Sequence, residues 1–377
     1  MSVAKKKVEK SNVYFTDFRS HHGVSMLQKL ERLIRAAGME TIDFKNKYVA
    51  IKIHFGEPGN VSYLRPNFAK VVVDYVKKLG GKPFLTDCNT LYVGRRKNAL
   101  DHLDAAYENG FTPYSTGCQV IIADGLKGTD EQVVPIDMKY VKEAKIGRAI
   151  MDADIVISLN HFKGHEMAGF GGALKNLGMG CGSRAGKMEM HSSEKPYTTD
   201  KCVGCKRCAS ICAHDAISFD DKGKAHIHHD KCVGCGRCLG VCNFDAIEHG
   251  NNHSNDIMNC KIAEYTYAVI KDKPNFHINL IMDVSPNCDC HAENDLPIVP
   301  NIGMLASFDP VALDKACIYL VNQAQVIPGS MAEEYQTKET KQDHFTATHH
   351  DTNWKVAIEY AEKIGIGNSG YQLKVVK

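Results

Sequence analysis

The sequence is short of the features that send a protein into a membrane, onto nucleic acid or out of the cell. No run approaches the roughly 18 apolar residues of a spanning helix, and the N-terminal Met-Ser-Val-Ala-Lys-Lys-Lys lacks the apolar stretch of a signal peptide. The expectation is a cytoplasmic protein with no membrane partner. Net charge is only +2 over 377 residues, and basic residues do not interleave with aromatic ones, so nothing draws the chain toward nucleic acid. A disorder-prone composition is absent too. With 44% hydrophobic and 24% charged residues the chain has the balance of a folded globular protein. Disulfides are not expected either: the 15 cysteines are odd in number, the inferred compartment is reducing, and their short repeated spacings point to metal ligation.

What is present falls into three stretches of different texture. From Tyr48 to Leu159, β-branched runs alternate with helical patterns. Lys47 to His54 reads as a strand, Pro66 to Leu79 as an amphipathic helix stopped by Gly80-Gly81, and Lys82 to Thr86 as a second strand. Further strands are predicted at Gln119 to Ala123 and Asp154 to Leu159, with a helix over Val141 to Met151. After Ile257 the same texture returns as a helix to Lys271, a strand at His277 to Asp283, and a helix started by Asp309 as N-cap with Pro310 in its first turn. Such alternation predicts an α/β fold, a mostly parallel sheet with helices on both faces. Residues 195–249 interrupt it as a small α+β, bacterial-ferredoxin-like insertion, leaving residues 1–194 and 250–377 as the two parts of one α/β domain. Arg184 to Thr199 and Gly250 to Asp256 have the polar character of linkers.

The insertion repeats itself: CVGCKRCASICAHDAI at Cys202 to Ile217 is echoed by CVGCGRCLGVCNFDAI at Cys232 to Ile247. Cys202, Cys205, Cys208 and Cys212 follow C-x2-C-x2-C-x3-C, and Cys232, Cys235, Cys238 and Cys242 follow it again. That spacing lets three thiolates of one tight loop hold three corners of a [4Fe-4S] cubane while the fourth cysteine reaches the other cluster. The first cluster is thus assigned to Cys202, Cys205, Cys208 and Cys242, the second to Cys232, Cys235, Cys238 and Cys212. Paired zinc knuckles, or clusters that only staple a small module, are the competing readings. Ala213 and Asn243 stand where a proline commonly follows the fourth cysteine; that residue is not a ligand, so ligation is unaffected.

Electrons entering such a module need a destination, and open α/β sheets bind ligands just beyond their strand ends. Polar residues gather there. His54 follows the first strand, and Asp87 with Cys88 the second. His161, Lys163 and His165 follow the strand ending at Leu159 and are candidates for acid–base chemistry; with His54 they make up the expected catalytic set. Gly169, Gly171 and Gly172 then precede a helix carrying Lys175 and Asn176, with Lys187 beyond. Bare backbone N–H groups and lysines of this kind can hold an anionic cofactor or substrate, although neither GxGxxG nor a lysine phosphate loop is matched. Tight turns and close helix packing use glycine equally well. Cys288, Cys290 and His291, joined by Cys181, form a soft donor cluster for a third metal; a redox thiol pair and inert buried thiols are the alternatives.

The phrases KIHFGE at Lys52 to Glu57, SLNHFKGHEMAGFGGALKNLGMGCGSRAGK at Ser158 to Lys187, NCDC at Asn287 to Cys290 and FDPVALD at Phe308 to Asp314 resemble the domain-of-unknown-function family 362. The resemblance covers nearly the whole chain. It implies an iron–sulfur protein of redox metabolism, of a kind common in anaerobes, with no settled substrate. The combined expectation is a ferredoxin-linked oxidoreductase, relaying single electrons between its clusters and a small-molecule site, with flavin as a plausible cofactor and a ferredoxin-type donor or acceptor as partner. The alternative is a non-catalytic electron carrier, or an adaptor in metallocofactor assembly.

Overall fold

The computed structural model describes residues 10–92, 94–191, 195–212, 214–232, 237–242, 244, 246–248 and 255–377. Its principal sheet is built from β1 (Ser11–Asp17), β2 (Tyr48–Lys52), β3 (Lys82–Asp87), β4 (Gln119–Ile122), β5 (Ile155–His161), β6 (Asn275–Ile281), β7 (Gly303–Ser307) and β8 (Tyr371–Val375). These eight lie in the order β8-β1-β7-β6-β5-β2-β3-β4. From β6 to β4 all neighbours are parallel, as are β1 and β8, whereas β7 runs antiparallel to both β1 and β6. The predicted mostly parallel α/β sheet is therefore observed. Strands from both sides of residues 195–249 share it.

Helices cover both faces. Helix α1 (Met26–Ala36) starts on a capping box, with Ser25 and Gln28 bonding each other's backbone. Helix α2 (Pro66–Lys78) starts on proline and ends at Gly80, whose φ of +85° is the left-handed conformation that glycine adopts without strain. Leu30, Leu33, Phe68, Val72 and Val76 of these helices pack on Val49, Ile51, Ile157, Leu159, Ile278 and Leu280. The opposite face alternates with those positions and carries Lys52, Ser158, Asn160 and Asn279, all buried. Over it lie α3 (Ala173–Cys181) and α5 (Pro310–Gln323), with α4 (Asn255–Ile270) packed on α3 and on α6 (Trp354–Lys363). Asp309 caps α5 as expected, accepting the Val311 and Ala312 N–H groups at 2.9 Å each.

Two local expectations are corrected. The helix expected over Val141 to Met151 is a strand, Glu143–Gly147, paired antiparallel with Glu131–Pro135, and only Arg148–Asp152 is helical. Buried Ala144 and Ile146 alternate with more exposed neighbours, the period of a strand. The stretch expected to be a linker from Arg184 begins as a helix, Arg184–His191. It buries Met188 and Met190 and is started by Ser183, whose Oγ accepts the Gly186 N–H at 3.2 Å.

In the cysteine-dense stretch Tyr197–Thr198 pairs with Ile247–Glu248, which sets its two ends side by side. Ile217–Phe219 pairs with Ala225–Ile227, and the short helices Arg207–Ser210 and Arg237–Val241 carry Cys208 and Cys238, with Cys212 and Cys242 just beyond them. Cys235, Ala213 and Asn243 lie outside the described residues. No helix among the described residues is long and apolar enough to cross a membrane.

Candidate functional site

A cavity of about 650 Å³ opens at the C-terminal ends of β2, β3, β5 and β6. This is the edge where a parallel sheet presents its loops to a ligand. His54, His161, Lys163, Gly171, Gly172, Lys175, Asn176, Lys187, Cys288 and Cys290 all line it, although they come from five separate stretches of chain. Four more predicted residues stand behind or beside it. His165 accepts the Met167 and Ala168 N–H groups at 3.1 Å each and so shapes the turn between Lys163–His165 and Gly169–Gly171. Gly169, at φ +83°, backs onto Trp354, and His291 meets Glu166. Cys181 does not join Cys288 and Cys290. Its carbonyl accepts from the Cys88 thiol at 3.3 Å, and burial pushes its own thiol up to about 12.

Local sequence gave no sign of Arg96 or Asp289. Arg96 is fully buried, with Nε 3.0 Å from Glu57 Oε2 and Nη1 3.0 Å from His54 Nε2; it also touches the Tyr92 hydroxyl. Burial and the Arg96 charge push His54 down to about 3, so it is neutral at ordinary pH. Both nitrogens of His161 are taken: Nδ1 lies 2.8 Å from Asp289 Oδ2 and Nε2 2.8 Å from the Met282 carbonyl. The ring therefore ties β5 to the loop after β6. Burial opposes ionisation of Asp289, yet His161 and Lys163 hold its carboxyl down at about 2. Burial likewise opposes the charge on Lys163, but Cys288, Asp289 and Cys290 raise it above the ordinary lysine value. Of the three residues named for acid–base chemistry on this loop, Lys163 is the one that presents a proton to the cavity.

The glycine-rich turn does not cradle an external anion at the start of α3. Asp314, from the FDPVALD phrase, accepts the Ala173 and Leu174 N–H groups at 2.8 and 2.9 Å. A Cβ on Gly172 would lie 2.4 Å from Asp314 Oδ1, so glycine is required there for an internal carboxylate to approach. From Asp314 a buried chain of polar contacts runs toward the cavity. Asn279 donates to Asp314 at 2.7 Å, Asn160 to Asn279 at 2.8 Å, and Asn176 to Asn160 at 2.7 Å. Lys52 then donates to Asn176 at 2.6 Å and pairs with Asp87 at 2.9 Å. An anion in the cavity must therefore be held by side chains: Arg96, Lys163, Lys175 and Lys187 outnumber the lining carboxylates Asp87 and Asp289.

Cys288 and Cys290 face the same cavity. The Cys290 thiol donates to Cys288, and Lys163 and Lys175 add positive charge, so Cys288 is held well below the ordinary thiol range despite burial. Lys175 Nζ lies 3.5 Å from its sulfur. Beside them Glu166, Cys290 and His291 bring one potential ligand atom each to within 4.8 Å of the others, a group able to hold a metal ion.

In the cysteine-dense stretch, Cys202, Cys205 and Cys208 of the first repeat line a second, smaller cavity together with Cys242 of the second. Backbone N–H groups point at three of the module's sulfurs: Ala225 to Cys202 at 3.3 Å, Ala246 to Cys242 at 3.3 Å, and Ala216 to Cys212 at 3.5 Å. Cys208, Cys238 and Cys242 share a small core with Leu91 and Met188, and Cys202 and Cys232 pack at its edge.

Behind the loop after β3, Asp124 Oδ1 accepts the Asn89 backbone and side-chain N–H groups at 2.9 Å each, while its buried Oδ2 has no hydrogen-bond partner among the described residues. Burial raises this carboxyl from the usual 3.8 to about 6. A raised carboxyl favours the fold while protonated, and that contribution is lost as pH rises through about 6. Asp124→Asn removes the titration. The melting-temperature advantage of the wild type over this variant is expected to shrink between pH 4 and 7; an advantage that grows over that interval would contradict the assignment.

Comparison with known proteins agrees with the sequence phrases. The family described as "Domain of unknown function (DUF362)" matches residues 49–319, from β2 through β7 and the whole cavity lining. A "Thylakoid-associated protein sll1697" of Synechocystis sp. is 26% identical over 167 residues, 43% of this chain and 48% of that protein. The match thus spans about half the length of the curated relative. The lactate racemase apoprotein of Thermoanaerobacterium thermosaccharolyticum superposes with a TM-score of 0.36 at 11% identity, covering 72% of this chain and 51% of its own. A Thermotoga maritima protein gives 0.38 at 13% identity, covering 78% and 57%. At these scores neither structure bears on what the chain does.

Proposed function

The chain belongs to the DUF362 family, and we propose that it is an iron–sulfur oxidoreductase whose residues 195–249 hold two [4Fe-4S] clusters. The cavity at the strand ends takes the small anionic molecule that is oxidised or reduced. The observation that carries this reading is the cavity shared by Cys202, Cys205, Cys208 and Cys242. Among the described residues its lining offers sulfur donors without histidine or carboxylate, which suits a cubane, and backbone N–H groups aimed at the sulfurs stabilise the negative charge of thiolates. When bound, such a cluster takes up or releases one electron at a time.

The chain's own residues supply the rest. Leu91 packs in the module core while its neighbour Tyr92 lines the large cavity, so two consecutive residues touch both places. Lys97 fixes this loop to the module by donating to the Cys242 carbonyl at 3.0 Å. In the cavity Lys175, Lys187 and Arg96 orient an anion, and Lys163 Nζ holds a proton where negative charge would arrive. A carrier or assembly adaptor has no need of so charged a pocket, which favours the enzyme. At the other side of the module, exposed Cys205 lies beside exposed Val203 and Phe244. A protein that carries single electrons docks there in this reading.

Protein purified without oxygen is expected to contain about eight iron and eight sulfide per chain and to give the EPR signals of reduced [4Fe-4S] clusters with dithionite. Colourless protein carrying zinc on the same cysteines would sink the proposal.

A further inference from the structure

The geometry points to a mononuclear metal site of the zinc or ferrous class, held by Glu166, Cys290 and His291 at the rim of the large cavity. The three ligand atoms lie within 4.8 Å of one another. Glu166 Oε1 and His291 Nε2 are 3.1 Å apart, close to the roughly 3.3 Å that two ligands about 2.0–2.1 Å from a tetrahedral ion keep between them. One of the ligands is also oriented from behind: Oε2 of Glu166 accepts the Cys288 N–H at 3.2 Å, which turns Oε1 toward the site. Glu293 Oε1, 3.7 Å from the remaining nitrogen of His291, is too far for a hydrogen bond but adds negative charge beside the imidazole. The His291 N–H bonds the Cys288 carbonyl at 3.1 Å and closes the turn that brings Cys290 and His291 to one place. Thiolate, imidazole and carboxylate together suit zinc or ferrous iron, whereas magnesium and calcium seek oxygen alone.

Three protein ligands leave a fourth position open, the pattern of a catalytic rather than a structural ion. Cys290 lines the cavity that Lys163 and Lys175 also line, so an ion held here would sit beside the place where the anion is held. The ion would accept an oxygen of the same anion that the lysines hold, polarising it as a Lewis acid. None of the eight module cysteines takes part, so the site is independent of the clusters.

Full-length protein purified without oxygen, its iron and sulfide counted, is stripped with a chelating resin and titrated with zinc against a chromophoric indicator. One zinc per chain is expected beyond the metal of the module. Glu166→Gln and His291→Ala should each weaken that binding at least a hundredfold while Cys181→Ser leaves it unchanged. Wild-type protein that takes up no extra zinc, or wild-type affinity in both ligand variants, overturns the site. Zinc captured by empty module cysteines would show low iron and no response to Glu166→Gln, so failure of the cluster reading is told apart from failure of this one.

Discussion

Replacing Cys242 with serine is expected to empty the metal site of the first repeat, although Cys242 belongs to the second. The reason is geometric: Cys242 closes the cavity lined by Cys202, Cys205 and Cys208, and a cubane that loses one of four thiolates is held poorly. Iron should fall by about half, from about eight to about four per chain. Pairs of substitutions test the crossing without any need to know which signal belongs to which site. Cys205→Ser with Cys242→Ser should cost no more iron than either alone, because both serve one site. Cys232→Ser with Cys242→Ser should remove nearly all of it. If the first pair proves additive and the second does not, each repeat keeps its own four cysteines and the crossing is wrong.

The second large effect is expected beneath the cavity, at Lys52→Met. Lys52 is fully buried and its ammonium joins Asp87 at 2.9 Å and Asn176 at 2.6 Å. Burial would push Asp87 up, yet the Lys52 ammonium, with Arg96 beside it, holds its carboxyl well below the usual range. Removing one member of a buried ion pair leaves the other charged without compensation, at a cost of about 3–5 kcal/mol. Arg96 Nη1, 3.5 Å from the same carboxylate, relieves part of that. Adding Asp87→Asn to Lys52→Met should therefore recover much of the stability, because the amide still accepts the Cys88 N–H without carrying charge. Chemical unfolding of the two variants decides it. A double variant weaker than Lys52→Met would show that Asp87 is needed for more than its pairing with Lys52. Iron content should stay constant throughout, since neither residue lines the module cavity.

Much of the architecture was legible because it is written in local periods. The strand and helix at Tyr48–Lys52 and Pro66–Lys78, the Gly80 stop and the Asp309 cap follow from neighbouring residues and appear where expected. The helix expected over Val141 to Met151 failed for the converse reason: Ala144 and Ile146 are held as strand by pairing with Val134 and Gln132, a partner that the stretch itself does not announce. Of the HFKGH phrase, His161 lines the cavity at the strand ends and His165 stands beside it. What His161 bonds was not legible, because it spends both nitrogens on residues more than 120 positions away.

By itself the sequence determined the cysteine repeat, the α/β alternation and the clustering of histidine, lysine and cysteine just past strands, each a matter of spacing along one short stretch. Only the tertiary structure decided what those groups meet. It set Asp314 on the start of α3, 141 positions from Ala173, and so closed the place where an anion was expected. It brought Arg96 against His54, parted Cys181 from Cys290, and put Glu166 in its stead. The division has a physical cause: ligand spacing and helix caps act over a few residues, whereas the charge, burial and free valence of a side chain depend on whatever the fold packs against it.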